Sequence, residues 1–418
     1  MKTLLAMAQL AKSASHHVRQ ASAEAKNLAL HKMGASLKKQ REAILKANLV
    51  DIEKAKADLP PHMVDRLSLE GGRLDAIISD LETVIQLPDP VGKLLEERTL
   101  PNGLELQKVT VPIGVLGIIY EARPNVTVDV ASLALKSGNA AILRGGKETL
   151  HTNIVITRAL QEGLEEASFP KEAIQLLKSP SRLQLRRLLK LDAYIDLIIP
   201  RGGEGLHRFC KEHSYIPVIT GGMGICHLFL DESADIEKSL EVIYNAKTQR
   251  PSVCNALDTL LIHRNAFALF FPLLVKKLAE KGVIFHLDER AWSLFPHQGE
   301  AFLRACEKDW QTEWMSLHLG VKIVDSLQEA VEHIQTYGTG HSDGILTSSP
   351  VNGEAFVRAV DSATVYINAS TRFTDGGQFG MGAEVAVSTQ KVHARGPMGL
   401  RELTSYKWII KGNYQVRK

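Results

Sequence analysis

Apolar residues in the first hundred positions recur every three to four places among Lys, Glu and Gln. Leu28, Leu30, Met33, Leu37, Ile44, Leu45, Leu49 and Ile52 keep this spacing. Leu67, Leu74, Ile77, Ile78, Leu81 and Ile85 keep it again over 62–87. Both runs predict amphipathic helices, the second stopped by Pro88-Asp89-Pro90, because proline has no N–H to donate and crowds the preceding turn. After Pro101-Asn102-Gly103 the period drops to two. Residues 104–111 alternate apolar with polar, as a strand with one wet face does. Short apolar segments then alternate with helical ones. The pattern predicts strands at 115–120, 140–143, 195–199, 218–220 and 225–230, with helices at 126–136, 149–165 and 182–190. A polar interruption at 245–255 precedes a second set: strands at 257–262, 321–324, 344–346 and 363–367, helices at 266–281 and 328–337. Such alternation argues largely parallel sheets covered on both faces, in two α/β domains meeting near residue 247. A final strand at 405–410 follows a glycine-rich loop. Together with 104–111 it predicts an extended ribbon suited to pairing with another subunit.

Composition narrows the class. A chain of 418 residues is too long for one small core. Fifty Lys+Arg against 47 Asp+Glu leave a formal charge of +3 with no basic block, which argues against nucleic-acid binding through bulk electrostatics. Cys210, Cys226, Cys254 and Cys306 form no CxxC pair, so neither a zinc knuckle nor a dense disulfide framework is expected. A reduced, cytoplasmic chain is the simplest expectation. The apolar opening is broken by Gln9 and closed by Lys12, which fits a first amphipathic helix rather than a signal peptide. The uncharged stretch 109–120 holds Pro112, Gly114 and Gly117 and falls short of the roughly 20 apolar residues of a spanning helix.

Candidate chemistry begins with the thiols. Cys210 and Cys306 stand in helical contexts and Cys226 opens an apolar strand, where a buried, inert thiol is the expectation. Cys254 differs: Gln249-Arg250-Pro251-Ser252-Val253-Cys254-Asn255-Ala256 is a polar, proline-marked turn just before a buried strand, a place where substrates bind in α/β proteins. Pro200-Arg201-Gly202-Gly203-Glu204-Gly205 follows a strand and opens a helix, the context for a phosphate at a helix N-terminus, although the third glycine of the dinucleotide fingerprint is missing. Arg144-Gly145-Gly146-Lys147 ends another strand between two cations, consistent with a phosphate site or with solvated loop charges. Thr220-Gly221-Gly222-Met223-Gly224 is a third flexible loop, and 368–380 is polar and glycine-rich enough to be a binding loop. His341-Ser342-Asp343 has too few ligands for a metal.

In this order, several tracts closely resemble the gamma-glutamyl phosphate reductase family of the aldehyde dehydrogenase superfamily. They are Tyr120-Glu121-Ala122-Arg123-Pro124-Asn125-Val126, Lys136-Ser137-Gly138-Asn139-Ala140, Cys254 behind Arg250-Pro251-Ser252, Val331-Glu332-His333-Ile334 through His341-Ser342-Asp343, 368–380, and His393-Ala394-Arg395-Gly396-Pro397. The resemblance runs nearly end to end. It implies an aldehyde dehydrogenase-like α/β fold: a Rossmann-type cofactor domain over 1–247 with a ribbon strand inserted at about 100–112, and an α/β catalytic domain over 248–367. A return to the cofactor domain over 368–395 and a small β oligomerisation ribbon over 396–418 complete it.

The activity implied is NADPH-dependent reduction of L-glutamyl 5-phosphate to L-glutamate 5-semialdehyde and phosphate, the second step of proline biosynthesis. By the same resemblance Cys254 is the nucleophile that forms a thioester, and Asn125 with the Cys254 backbone N–H stabilises the oxyanion, Arg123 being the alternative inward group. Arg144, Gly145, Lys147, Arg201, Gly202, Gly203, Gly221 and Gly222 are candidates for NADP. Arg123, Arg250, His341, Asn368 and Arg372 are candidates for substrate, with Asp343 or Asp375 for its ammonium; no metal is expected. Hydrolytic relatives have a glutamate in the loop represented by 218–222, where this chain has Thr220, so a thioester should outlast water. Arg144 and Lys147 favour a coenzyme with a 2′-phosphate. The implied partners are a small-molecule substrate, further copies in a homo-oligomer (dimer or tetramer), and glutamate 5-kinase as a separate supplier, with no nucleic acid and no membrane. A related acyl-phosphate or acyl-CoA reductase, or a non-enzymatic oligomeric scaffold, are the alternatives.

Overall fold

The computed structural model describes residues 3–221, 223–296 and 299–417. The chain divides into two compact units, one of Met1–Gly221, Gly380–Val387 and Pro397–Lys418, the other of Gly222–Phe379 and Ser388–Gly396.

The first unit opens with helices Leu4–Gln20, Ala23–Lys39 and Arg41–Ala55. Thr3 and Ser22 cap the first two: their hydroxyls accept N–H groups of Ala6 (3.1 Å) and Ala25 (3.2 Å) that have no partner inside the helix. The opening segment is therefore a helix, as expected, and it buries Ala8, Ala11 and Val18. The apolar run at 62–87 is split into Pro61–Asp65 and Arg73–Gln86. Gly71 and Gly72 take left-handed φ values of 63° and 83° at the break, which interrupts a helical run that periodicity alone would carry through.

Four parallel strands follow, in the order Ile174–Leu176, Ala140–Arg144, Val115–Tyr120, Leu197–Arg201. Val115–Tyr120 is buried at every residue, as a strand covered on both faces must be. Sequence order reverses between it and Leu197–Arg201, which makes the crevice at their carboxyl ends the switch point of a doubly wound sheet. The strand expected at 218–220 reduces to an isolated bridge from Ile198 to Val218. The expected ribbon is present: Glu105–Pro112 pairs antiparallel with Thr404–Lys411. A third strand, Leu94–Thr99, joins it, exposed along its whole length and so without an alternating signature. Asn139 ties this return segment to the sheet by donating to the Leu403 carbonyl at 2.8 Å.

The second unit is a seven-stranded, wholly parallel sheet, in the order Phe302–Arg304, Ile284–Leu287, His318–Val324, Leu257–His263, Cys226–Leu230, Ser342–Leu346, Thr364–Ile367. Cys226–Leu230 pairs with Leu257–His263, so it belongs here. The division expected near 247 lies instead at 221/222, and 368–379, expected to return to the first unit, stays with the second. Phe270 and Phe271 of helix Arg264–Ala279 pack with Phe285, Leu260 and Val321 in its main core. Cys306 follows the short strand Phe302–Arg304 and is exposed, not a buried helical thiol. Among the described residues no helix is long and apolar enough to cross a membrane.

Candidate active site

In the second unit, Cys254 sits on a turn between helix Ile236–Thr248 and strand Leu257–His263 and keeps part of its surface. The turn lies at the amino edge of the sheet, beside Cys226 in the neighbouring strand, so the carboxyl-end rule that made it a candidate is not what places it. Polar anchors fix it instead. Asn255 donates through its amide to the carbonyls of Thr374 (3.0 Å) and Arg372 (3.3 Å), and its own carbonyl accepts from the Thr371 hydroxyl at 2.7 Å. The 371–374 segment thus brackets the residue after the thiol. Arg372 Nε donates to Gln249 Oε1 at 2.8 Å, which holds the guanidinium at the start of the Cys254 turn. Burial lowers the Arg372 pKa from its ordinary value, and the neighbouring Cys254 sulfur, as thiolate, pulls it back up. A guanidinium so placed favours the nucleophilic form of the thiol.

Behind the turn the chemistry is buried. A Cβ built on Gly224 would stand 2.6 Å from the Cys254 carbonyl carbon and 3.0 Å from its Cα, so only glycine permits this approach. Gly224 N–H donates to Glu313 Oε1 at 3.1 Å. Asp258, also buried, accepts backbone N–H groups of Trp314 (3.0 Å) and Cys226 (3.3 Å). Burial drives its carboxyl above the usual carboxylate range, and burial pushes Lys247, whose Nζ donates to the Leu257 carbonyl at 2.8 Å, below the usual range of an ammonium. Neither Asp258 nor Glu313 was singled out from sequence. The signal for Asp258 was a carboxylate inside the apolar run Ala256-Leu257-Asp258-Thr259-Leu260, which is rare unless the charge has partners.

The other substrate candidates of this unit divide. Arg250 stands exposed on the same turn as Cys254. Asn368 spends its side chain on Thr347, accepting its N–H and donating to its carbonyl, both at 2.8 Å. That pairing shapes the loop and uses one N–H of the exposed amide; the second N–H is not used by it. His341 is 1% exposed, with Nδ1 2.9 Å from the Ser342 hydroxyl, and burial lowers it to about 4, so it is a neutral interior group without surface for a substrate. Asp343 is likewise sealed, paired with His227 at 2.8 Å, and cannot meet an ammonium. Asp375 turns inward on its own loop, accepting the N–H groups of Gly377 and Gln378.

In the first unit, a cleft of about 650 Å³ opens at the carboxyl ends of the sheet strands. Arg144, Lys147, Arg182 and Arg208 line it, against Glu121, Glu148 and Glu212. Arg144 is buried; its Nη2 donates to the Pro180 carbonyl at 2.7 Å, while its Nε has no hydrogen-bond partner. Lys147 Nζ lies 3.7 Å from an Asp58 carboxylate, both exposed. Gly203 caps helix Glu204–His213, its N–H donating to Glu121 Oε2 at 3.0 Å, and Gly202 packs on the same carboxylate. Arg201 ends the strand before it, and Gly145 packs against Asn153 and Tyr120. Gly221 abuts the Val387 carbonyl, and Gly222 lies outside the described residues. An orphaned buried guanidinium nitrogen, a surplus of cations and an exposed helix N-terminus suit a phosphorylated dinucleotide. Arg182 carries no motif around it in the sequence, and Arg208 stands there only where the third glycine of the fingerprint is missing, so neither was a cofactor candidate.

Asn125 also belongs to this unit, at the first turn of helix Asn125–Lys136. One N–H of its amide goes to Asp129 Oδ2 at 2.9 Å. Burial pushes the Asp129 carboxyl up to about 6, against the opposing effect of that bond. Arg123 is exposed on the preceding turn. Among the described residues no group of three or more His, Cys, Asp or Glu is arranged to hold a metal.

The aldehyde dehydrogenase family model matches residues 3–292. The gamma-glutamyl phosphate reductase of Serratia proteamaculans (strain 568) is 52% identical over 412 residues, 98% of this chain and 99% of its own length. That of Actinobacillus succinogenes is 52% identical over 418 residues, the whole of both. The crystal structure of gamma-glutamyl phosphate reductase from Thermotoga maritima superposes with a TM-score of 0.97 at 45% identity, covering 100% of each chain. An acetylating aldehyde dehydrogenase from Geobacillus thermoglucosidasius shares the fold, with a TM-score of 0.72 at 18% identity over 99% of this chain and 97% of its own.

Proposed function

This chain belongs to the aldehyde dehydrogenase family, in its gamma-glutamyl phosphate reductase branch, and on that premise we propose that it reduces L-glutamyl 5-phosphate to L-glutamate 5-semialdehyde in proline biosynthesis. The observation that carries the reading is the partly exposed Cys254 on a turn braced by Asn255 and 371–374, with the Arg372 guanidinium beside it. The Cys254 thiolate attacks the acyl carbon, and the carbon–oxygen bond to phosphate breaks, leaving a thioester and inorganic phosphate. When bound, a nicotinamide coenzyme supplies the hydride that reduces the acyl carbon. The carbon–sulfur bond then breaks, the aldehyde is released and Cys254 leaves as thiolate.

Each tetrahedral state carries an oxyanion. Within the second unit the backbone N–H of Cys254 is its donor in this scheme. Arg372 and Arg250 are the anion readers of the second unit, and Arg123 of the first. Water attack on the thioester needs a carboxylate to take a proton, and 218–222 contain none. In the first unit Arg144, Lys147, Arg182 and Arg208, with the helix opening at Gly203, would hold the coenzyme, and their charge favours NADPH through its 2′-phosphate. The exposed ribbon edges support a homo-oligomer, and the phosphorylated substrate implies a glutamate 5-kinase upstream.

Cys254→Ala tests the scheme. The variant is expected to fold and to bind NADP⁺ while losing oxidation of glutamate semialdehyde in the presence of NADP⁺ and phosphate. Turnover retained in that variant removes the covalent route. An equal response to other aldehydes with coenzyme A in place of phosphate would assign a different acyl substrate.

A further inference from the structure

Cys254 is partly exposed, but its carbonyl is turned into the protein. There it meets two things: the bare backbone of Gly224 and the thiol of Cys226, whose Sγ lies 3.2 Å from the carbonyl oxygen. Cys226 is 0% exposed. Its own N–H donates to Asp258 Oδ2 at 3.3 Å, and the other oxygen of that carboxyl takes the Trp314 N–H. On its remaining side the sulfur stands 3.9 Å from His341 Nδ1. A thiol donates weakly, yet a hydrogen bond in a closed interior is stronger than the same bond in water, so the contact matters more there. A thiolate at the same place would face the carbonyl oxygen as a second acceptor and push the turn away. Burial, with Asp258 and Asp343 nearby, holds the Cys226 thiol well above its ordinary pKa, so the donor form persists across the working pH range.

We propose that Cys226 is a positioning residue: its S–H donates to the carbonyl of Cys254, fixing the peptide plane between Cys254 and Asn255 and hence the direction of the nucleophilic sulfur. Asn255 anchors the far side of that plane through Thr374, Arg372 and Thr371. With Cys226 on the near side, the plane is held from both ends. This rests on Cys254 being the nucleophile, and it gives a second cysteine, which the reaction never consumes, a share in the rate.

Cys226→Ala, Cys226→Val and Cys226→Ser, made in the full chain, test it. Alanine removes the donor, valine fills the space without one, and serine keeps an O–H. Two quantities are measured: the second-order rate of alkylation by iodoacetamide across pH, with peptide mass mapping to identify the labelled residue, and kcat and KM for semialdehyde oxidation. Alanine and valine are expected to lower the high-pH plateau of Cys254 alkylation and kcat together, by up to about tenfold, the net worth of one hydrogen bond. The KM for NADP⁺ stays within about twofold and serine recovers most of the loss. The proposal is overturned if alanine and valine leave both rates within about twofold of wild type, or if serine is as impaired as alanine. Because alkylation needs no substrate, it reports on Cys226 even if the reductase reading fails; turnover by Cys254→Ala marks that failure separately.

Discussion

Replacing Gly224 by alanine puts one methyl group where the nucleophile turn now lies. The added carbon would stand 2.6 Å from the Cys254 carbonyl carbon and 3.0 Å from its Cα. Carbon atoms rest at about 3.5–4.0 Å, so one side must retreat by about 1 Å. Gly224 is held by the bond of its N–H to Glu313, and the next residue, Ile225, donates to the Thr339 hydroxyl at 3.0 Å. The Cys254 turn is held by Asn255. Because both sides are anchored, the displacement divides between them, and part of it moves the sulfur. A shift of this order in a reacting atom costs up to about 100-fold in rate, or close to 3 kcal/mol in the barrier. The cleft proposed for the coenzyme lies in the other unit and is lined by none of these residues. The expected outcome for Gly224→Ala is therefore a kcat for semialdehyde oxidation reduced by one to two orders of magnitude, with NADP⁺ affinity by fluorescence titration unchanged. Iodoacetamide should label Cys254 at a clearly altered rate. A kcat within about threefold of wild type would mean that the turn accommodates the methyl freely, and the argument from backbone contact would be wrong.

Three further substitutions address the first unit. Asp129 has its pKa raised to about 6 by burial, so ionisation is disfavoured in the folded chain; its contribution to stability is complete below about pH 4 and is lost as pH rises through about 6. Asp129→Asn should match wild type in urea unfolding near pH 3 and exceed it by about 1–2 kcal/mol near pH 8; no pH-dependent difference between the two proteins refutes the assignment. Lys147→Glu and Arg144→Gln should each lower the ratio of kcat/KM for NADPH over NADH by about tenfold or more, and weaken binding of 2′,5′-ADP in a calorimetric titration, while an unchanged ratio in both would move the coenzyme phosphate elsewhere.

Much of the scaffold was legible because its strands are fully buried and short. The strand at 115–120 reads as six apolar or small residues between turn signals and forms as Val115–Tyr120. The ribbon pair was legible from the alternation at 104–111, whereas its third strand, Leu-Leu-Glu-Glu-Arg-Thr, carries no period because neither face is buried. The boundary at 221/222 was not legible: Cys226–Leu230 looks like any buried strand, and only its pairing with Leu257–His263 decides which sheet it joins. In the site, the thiol stood out by its polar turn. His341 and Asp343 looked as functional as the thiol, yet both are sealed in the interior, Asp343 against His227 and His341 with its Nδ1 at Ser342, neighbours that strand register creates and local sequence cannot reveal. Gln249, which sets the direction of Arg372, carried no mark at all.

The bond from Asn139 to Leu403 joins residues 264 positions apart, and the ribbon likewise closes with Thr404–Lys411 against Glu105–Pro112. During translation the ribbon strand Glu105–Pro112 emerges early with the parallel strands of the first unit, but the strand that pairs with its free edge is made only after the entire seven-stranded unit has left the ribosome. Such long-range closure slows folding and leaves an incomplete edge waiting. A truncation or mistranslation near residue 400 therefore injures the domain that was synthesised first, and nascent chains should depend on chaperone protection for as long as that edge stays open.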